Sequence, residues 1–196
     1  LPWDADKFIL QSQKDGYNHL YLFNTKGEML RQLTSGNFVV YDLLGFDKAR
    51  KRAIILSAES SPIQSNLYAV DIATGKRTLL YNGRGVHANI ISPSGFHDRA
   101  LSPDGGWIID NYSEPTVPRC IDFINLKTDK STRYFTADNP WKGYAEPEIT
   151  SGTIKAADGR TDLYYRLGKP ADFDPAKKYP TVVYVYGGPM TRNVDA

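Results

Sequence analysis

The chain has 196 residues, 41% of them hydrophobic and 23% charged, a balance that excludes a disordered polymer and fits one globular domain or one and a half. Its 24 basic and 22 acidic residues leave a net charge of +2, which gives no electrostatic ground for a nucleic-acid or anionic-membrane partner. The single cysteine, Cys120, excludes an internal disulfide, and no apolar run reaches the length of a membrane span.

Thirteen Tyr, sixteen Gly and twelve Pro predict β structure broken by many turns. Lys7–Ser12, His19–Phe23 and Met29–Leu33 read as three antiparallel strands, with turns at Lys14–Tyr17 and Asn24–Gly27. The pattern then repeats. Val39–Phe46 and Arg52–Ser57 flank the charged turn Asp47–Lys51, followed by Asn66–Val70, the turn Asp71–Gly75, and Arg77–Tyr81. A third pass runs through Asp98–Ser102, Trp107–Tyr112, Cys120–Ile124 and Thr132–Phe135. A meander recurring at roughly 50 residues, with Leu-Tyr, then Asp or Asn, then a turn, predicts β-propeller blades. An irregular β-sandwich is the alternative. The first unit lacks a fourth strand, and fewer than three full blades cannot close a ring, so the chain is expected to be a piece of a larger protein.

After Phe135 the character changes. Thr136–Trp141 is a turn-rich linker, which predicts residues 1–138 as the C-terminal part of a propeller and 139–196 as a linker and the opening strands of a truncated α/β domain. Ile149–Ala157 and Thr161–Leu167 form a hairpin about Asp158-Gly159. A proline-punctuated loop then delivers the chain to Thr181–Tyr186, an unbroken β-branched and aromatic run expected as a strand buried on both faces. Gly187-Gly188-Pro189 stops that strand sharply, and sites in open α/β sheets form beyond such strand ends.

Leu163-Tyr164-Tyr165, Lys169–Phe173, Lys178-Tyr179-Pro180 and Val185–Pro189 together resemble the entry to the catalytic domain of the prolyl oligopeptidase family of serine peptidases. The ending Val-Tyr-Gly-Gly-Pro is most similar to the dipeptidyl peptidase IV branch. The blades, including Asp15–Tyr21, are similar to the later blades of that branch's propeller, so the resemblance spans essentially the whole chain, specifically around Lys178–Pro189 and loosely before it. It implies a partial β-propeller followed by the first strands of an α/β-hydrolase domain. It implies release of N-terminal dipeptides after Pro or Ala from peptide substrates, without a cofactor or metal, and it favours a periplasmic or secreted location.

The resemblance assigns one catalytic part to this chain: Tyr186 as the hydroxyl donor of an oxyanion hole. A neutral phenol held by a rigid turn suits that task; a strand-end tyrosine packed on Pro189 is the alternative reading. No Gly-x-Ser-x-Gly elbow occurs, and Ser92-Pro93-Ser94-Gly95 lacks the leading glycine. In the family the serine, aspartate and histidine of the triad follow the strand ending here, and the paired glutamates that hold the substrate amine lie in an earlier blade. Glu146-Pro147-Glu148 does not match that pair, because proline interrupts it in the linker. The polypeptide alone is therefore expected to be inactive. A tripeptidyl-releasing homologue and a non-catalytic propeller that binds peptides or proteins stand as alternatives. Open strand edges predict self-association, with a homodimer as the other possible assembly.

His19, His87 and His97 lie apart, with no Cys or carboxylate at ligand spacing, which argues against a metal site. Cys120 on a strand reads as a buried small hydrophobe. Lys48–Arg52 reads as an exposed hairpin turn rather than an anion-binding patch, and Trp107 as a core residue of its blade.

Overall fold

A computed structural model describes residues 1–81, 85–87, 100–187 and 192–195, and among these every regular element is a strand. β1 (Lys7–Ser12), β2 (His19–Asn24) and β3 (Met29–Gln32) form one antiparallel meander. β4 (Val40–Asp47), β5 (Arg52–Ser57), β6 (Asn66–Asp71) and β7 (Arg77–Leu79) form the next, in chain order. β8 (Trp107–Glu114), β9 (Val117–Asn125) and β10 (Lys130–Thr136) form a third, which Leu101 joins through a bridge to Ile108. β11 (Glu148–Lys155) and β12 (Asp162–Lys169) make a separate hairpin.

The repeat heard in the sequence is an Asx turn. In the first sheet Asn24 Oδ1 accepts from the Lys26 and Glu28 amides at 3.0 and 2.9 Å, and in the second Asp71 Oδ1 accepts from the Thr74 amide at 2.7 Å. In the third, Asn125 Oδ1 accepts from the Lys127 amide at 2.9 Å. A short side chain satisfying the amides just ahead of it reverses the chain after the same strand of each sheet.

β5 is the centre of the molecule because both of its faces are covered. Ala53 and Ile55 enter a core with Leu20, Leu22 and Val70, between the first and second sheets. Ile54 and Leu56 enter another with Leu67, Ile108 and Ile124, between the second and third. A strand buried on both sides needs apolar residues at consecutive positions, which Ala53-Ile54-Ile55-Leu56 supplies. Two glycines allow the second and third sheets to close up. A Cβ on Gly45, at φ +149°, would sit 2.6 Å from a Leu101 methyl, and one on Gly105, at φ +72°, 2.6 Å from the Phe46 carbonyl oxygen. The first would make the Leu101 side chain shift, and the second meets backbone, which cannot give way so cheaply.

Two expectations fail here. Thr181–Tyr186 forms no strand, and Val182 to Val185 is at least 80% exposed. A β-rich run gains its ladder bonds and burial only from neighbouring strands, and among the described residues none lies beside it. Trp107 is 43% exposed rather than in the core, because β8 turns Ile108 and Asp110 inward and leaves Trp107 and Ile109 on the outer face. Gly188, Pro189, His97, Ser92–Gly95 and the first two residues of Asp98–Ser102 lie outside the described residues.

Candidate functional site

Tyr186 ends the exposed stretch and is itself 54% exposed. It lines a cavity of about 610 Å³ whose other walls include Tyr41 of β4, Pro62 and Ile63 of the β5–β6 connection, Tyr164 of β12, and Arg192. Residues from the second sheet, from the hairpin and from the segment beyond it therefore meet at one concavity. Its walls are mostly aliphatic and aromatic, and phenol hydroxyls, one guanidinium and the side chains of Gln13 and Asn193 are its polar groups.

Arg192 is held tightly. Its Nη1 donates to Tyr41 Oη at 2.9 Å, to the Gln64 carbonyl at 3.1 Å and to the Pro62 carbonyl at 3.2 Å, while Nε pairs with Asp195.

The glutamates of the linker are used structurally. Glu146 accepts from Asn139 Nδ2 at 2.9 Å, and Glu148 pairs with Lys169 of β12 at 3.1 Å, so the two are engaged apart. Among the described residues no three His, Cys, Asp or Glu side chains are grouped to hold a metal ion. His87, for which the sequence offers no nearby carboxylate, is fully buried with Nδ1 2.7 Å from Asp110 of β8, 23 positions later. Its ring stacks on Tyr112, while Val86 bridges Ser65 in parallel and Ser113 antiparallel, so this segment stitches the second sheet to the third. Cys120 is buried on β9, as expected.

Lys48–Lys51 is an exposed turn, but Arg52 is only 5% exposed and leaves that group. Its guanidinium takes Asp47 Oδ2 at 2.8 Å and reaches the third sheet, where it takes Asp129 through Oδ1 at 2.8 Å and Oδ2 at 3.1 Å and the Leu126 carbonyl at 2.9 Å. Burial pushes the Asp129 carboxyl up, and the guanidinium groups of Arg52 and Arg50 more than offset this, holding it below the ordinary carboxylate value.

Three antiparallel meanders stacked face to face and tied by charged latches define this part of the molecule as consecutive blades of a β-propeller. The family model for the N-terminal region of dipeptidyl peptidase IV matches residues 1–119. The chain belongs to that family. A crystal structure from Bacteroides ovatus, assigned as a dipeptidyl aminopeptidase IV, superposes with a TM-score of 0.80 and 40% identity over 100% of this chain and 29% of its own. Dipeptidyl peptidase 4 of Porphyromonas gingivalis superposes with a TM-score of 0.74 and 32% identity over 90% of this chain and 24% of its own. Mouse dipeptidyl peptidase 8 is 30% identical over 83% of this chain and 18% of its own length. The chain spans about a quarter of the length of the dipeptidyl peptidase 4 relatives it matches.

Of the residues at the cavity, sequence reasoning singled out Tyr186 alone. Arg192 carried no signal, because the second-sheet partners it reaches lie 128 to 151 positions away and two of them are backbone carbonyls.

Proposed function

We propose that this chain is part of a serine-type exopeptidase that releases N-terminal dipeptides after Pro or Ala. In this reading residues 1–138 belong to the propeller and 139–196 open the α/β-hydrolase domain, with the cavity at their junction. The observation that carries it is Tyr186, half-exposed at a concavity with walls from both parts. A serine hydroxyl elsewhere in the parent protein attacks the carbonyl carbon after the penultimate residue. The C–O bond forms, the carbonyl π pair moves onto oxygen, and the serine proton passes to a histidine. Tyr186 Oη–H donates to that oxygen as its charge develops. The tetrahedral intermediate then collapses to the acyl-enzyme, expelling the amine with the proton, and water hydrolyses the ester.

The test is turnover of Gly-Pro and Ala-Pro chromogenic substrates. The full-length protein cleaves them and the 196-residue polypeptide does not exceed a heat-killed control. Cleavage only of a tripeptidyl substrate moves the assignment to a tripeptidyl peptidase. No cleavage by the full-length protein, with peptide binding retained, moves it to a non-catalytic propeller.

We also propose peptides as the partners of the parent protein and no nucleic acid. The isolated polypeptide exposes Trp107 and Ile109 on the third sheet, Phe8 and Leu10 on the first, and Val182–Val185, so it self-associates through these surfaces. Sedimentation of the isolated chain shows oligomers that grow with concentration; a concentration-independent monomer would sink that expectation.

A further inference from the structure

We propose that Tyr41 and Arg192 form a paired donor site for a main-chain carbonyl oxygen of the peptide substrate. This rests on the reading of the chain as part of a peptidase and not on the role given to Tyr186.

The two side chains touch. Tyr41 stands on β4, 40% exposed, and its hydroxyl oxygen accepts from Arg192 Nη1 at 2.9 Å. A hydroxyl that accepts one hydrogen bond still carries its own proton, and among the described residues no acceptor takes that of Tyr41. Arg192 spends Nη1 on Tyr41 and on the Pro62 and Gln64 carbonyls, and its Nε faces Asp195. Its Nη2, with two further N–H groups, has no hydrogen-bond partner among the described residues, on a side chain 28% exposed. Both unspent donors belong to residues that line one cavity.

The arrangement suits a neutral acceptor oxygen for three reasons. Tyr41 and Arg192 are already fixed to each other and to the second blade, so neither has to be ordered when a ligand arrives. Gln13 and Asn193 also line the cavity, but no hydrogen bond among the described residues holds their side chains. A phenol that accepts from a cation is polarised and donates more strongly through its own O–H. Asp195 balances the guanidinium charge, so the pair offers aligned dipoles rather than a net positive charge, which favours an amide oxygen over a free carboxylate. Val39, Pro62 and Ile63 supply apolar wall beside it.

The experiment measures affinity in the full-length protein by calorimetry, with Gly-Pro-Ala-Ala amide whose Pro–Ala carbonyl is reduced to methylene so that it cannot be cleaved. Tyr41→Phe weakens binding about five- to tenfold, the worth of one neutral hydrogen bond, and Arg192→Met weakens it about tenfold or more. With the cleavable peptide both raise KM and change kcat by less than about twofold, because the bond is made in ground and transition states alike. A change in the ligand separates binding from a merely structural role. Sulfur accepts weakly, so replacing the bound carbonyl oxygen, at the first or the third residue of the peptide, by sulfur costs the wild type about fivefold. It costs Tyr41→Phe less, and the Tyr41→Phe, Arg192→Met double variant nothing further. Should Arg192→Met fail to fold, Tyr41→Phe carries the same comparison alone. Wild-type affinity in the variants, or a sulfur cost that stays the same in them at both positions, overturns the inference. Weakening confined to peptides that end in a free carboxylate overturns the assignment to a carbonyl. Full-length protein that binds the peptide and cleaves nothing overturns the peptidase reading instead, and the affinity comparison still decides the role of the pair.

Discussion

Replacing Tyr186 with phenylalanine in the full-length peptidase lowers kcat by about a hundred- to a thousandfold and leaves KM nearly unchanged, the loss measured when one oxyanion donor is removed from a preorganised site. The substitution deletes a single oxygen and keeps the ring, so it separates the two roles open to this side chain. A tyrosine that only packs at the end of its segment loses little when it becomes phenylalanine. A tyrosine that donates to developing charge loses about 3 kcal/mol of transition-state stabilisation and almost none of ground-state binding. A second measurement sharpens the distinction. A boronate that forms a tetrahedral adduct presents an oxygen where the oxyanion would be, so its affinity falls in step with kcat/KM, while the affinity of an uncharged product dipeptide stays the same. Wild-type kcat, or equal losses for boronate and product, would mean that the phenol is not in the oxyanion hole.

The blades were legible in the sequence because their signals are local. Short apolar and aromatic runs such as His19–Phe23, and the side chains of Asn24, Asp71 and Asn125 that cap their own turns, act within a few residues and need no distant partner. β5 was found with its full bounds for the same reason, since the charged turn Asp47–Lys51 marks where it begins and Ser57 opens the polar loop that ends it. The failures share the opposite cause. Thr181–Tyr186 has the composition of a buried strand, but composition supplies side chains that suit a sheet without supplying the sheet. Trp107 shows the same limit: alternation sets which residues share a face, while the neighbour that covers that face is decided elsewhere. Tyr186 was singled out by its motif alone, whereas Arg192, Asp110 and Asp129 act through contacts 23 to 151 positions apart that leave no local pattern.

Arg52 is where that long-range wiring has its largest expected effect on stability. Its guanidinium is 6% exposed and satisfies Asp47 within its own blade and Asp129 and the Leu126 carbonyl in the next. Arg52→Met keeps most of the volume and removes the charge, stranding the Asp47 carboxylate, which is 4% exposed, and leaving Asp129 with Arg50 alone. Breaking a buried pair from one side costs about 3–5 kcal/mol, since the remaining ion keeps its desolvation and loses its partner. Native-state hydrogen exchange in the full-length protein reads this directly: the amides of β5 and of the β9–β10 turn exchange at least a hundredfold faster in the variant. The pH dependence has a definite sign. Asp129 has a folded-state value below its ordinary 3.8, so its contribution is present in full above that value and is lost as pH falls through the lower, folded-state value. Acid therefore opens the wild-type latch but changes β5 exchange less in Arg52→Met, where much of that contribution is already gone. Replacing Asp47 and Asp129 with leucine alongside Arg52→Met recovers much of the lost protection, because it removes the stranded charges as well. Exchange in β5 that rises less than tenfold in Arg52→Met would show that the two blades are held by their apolar contacts alone, and that the buried ion cluster sets their register rather than their stability.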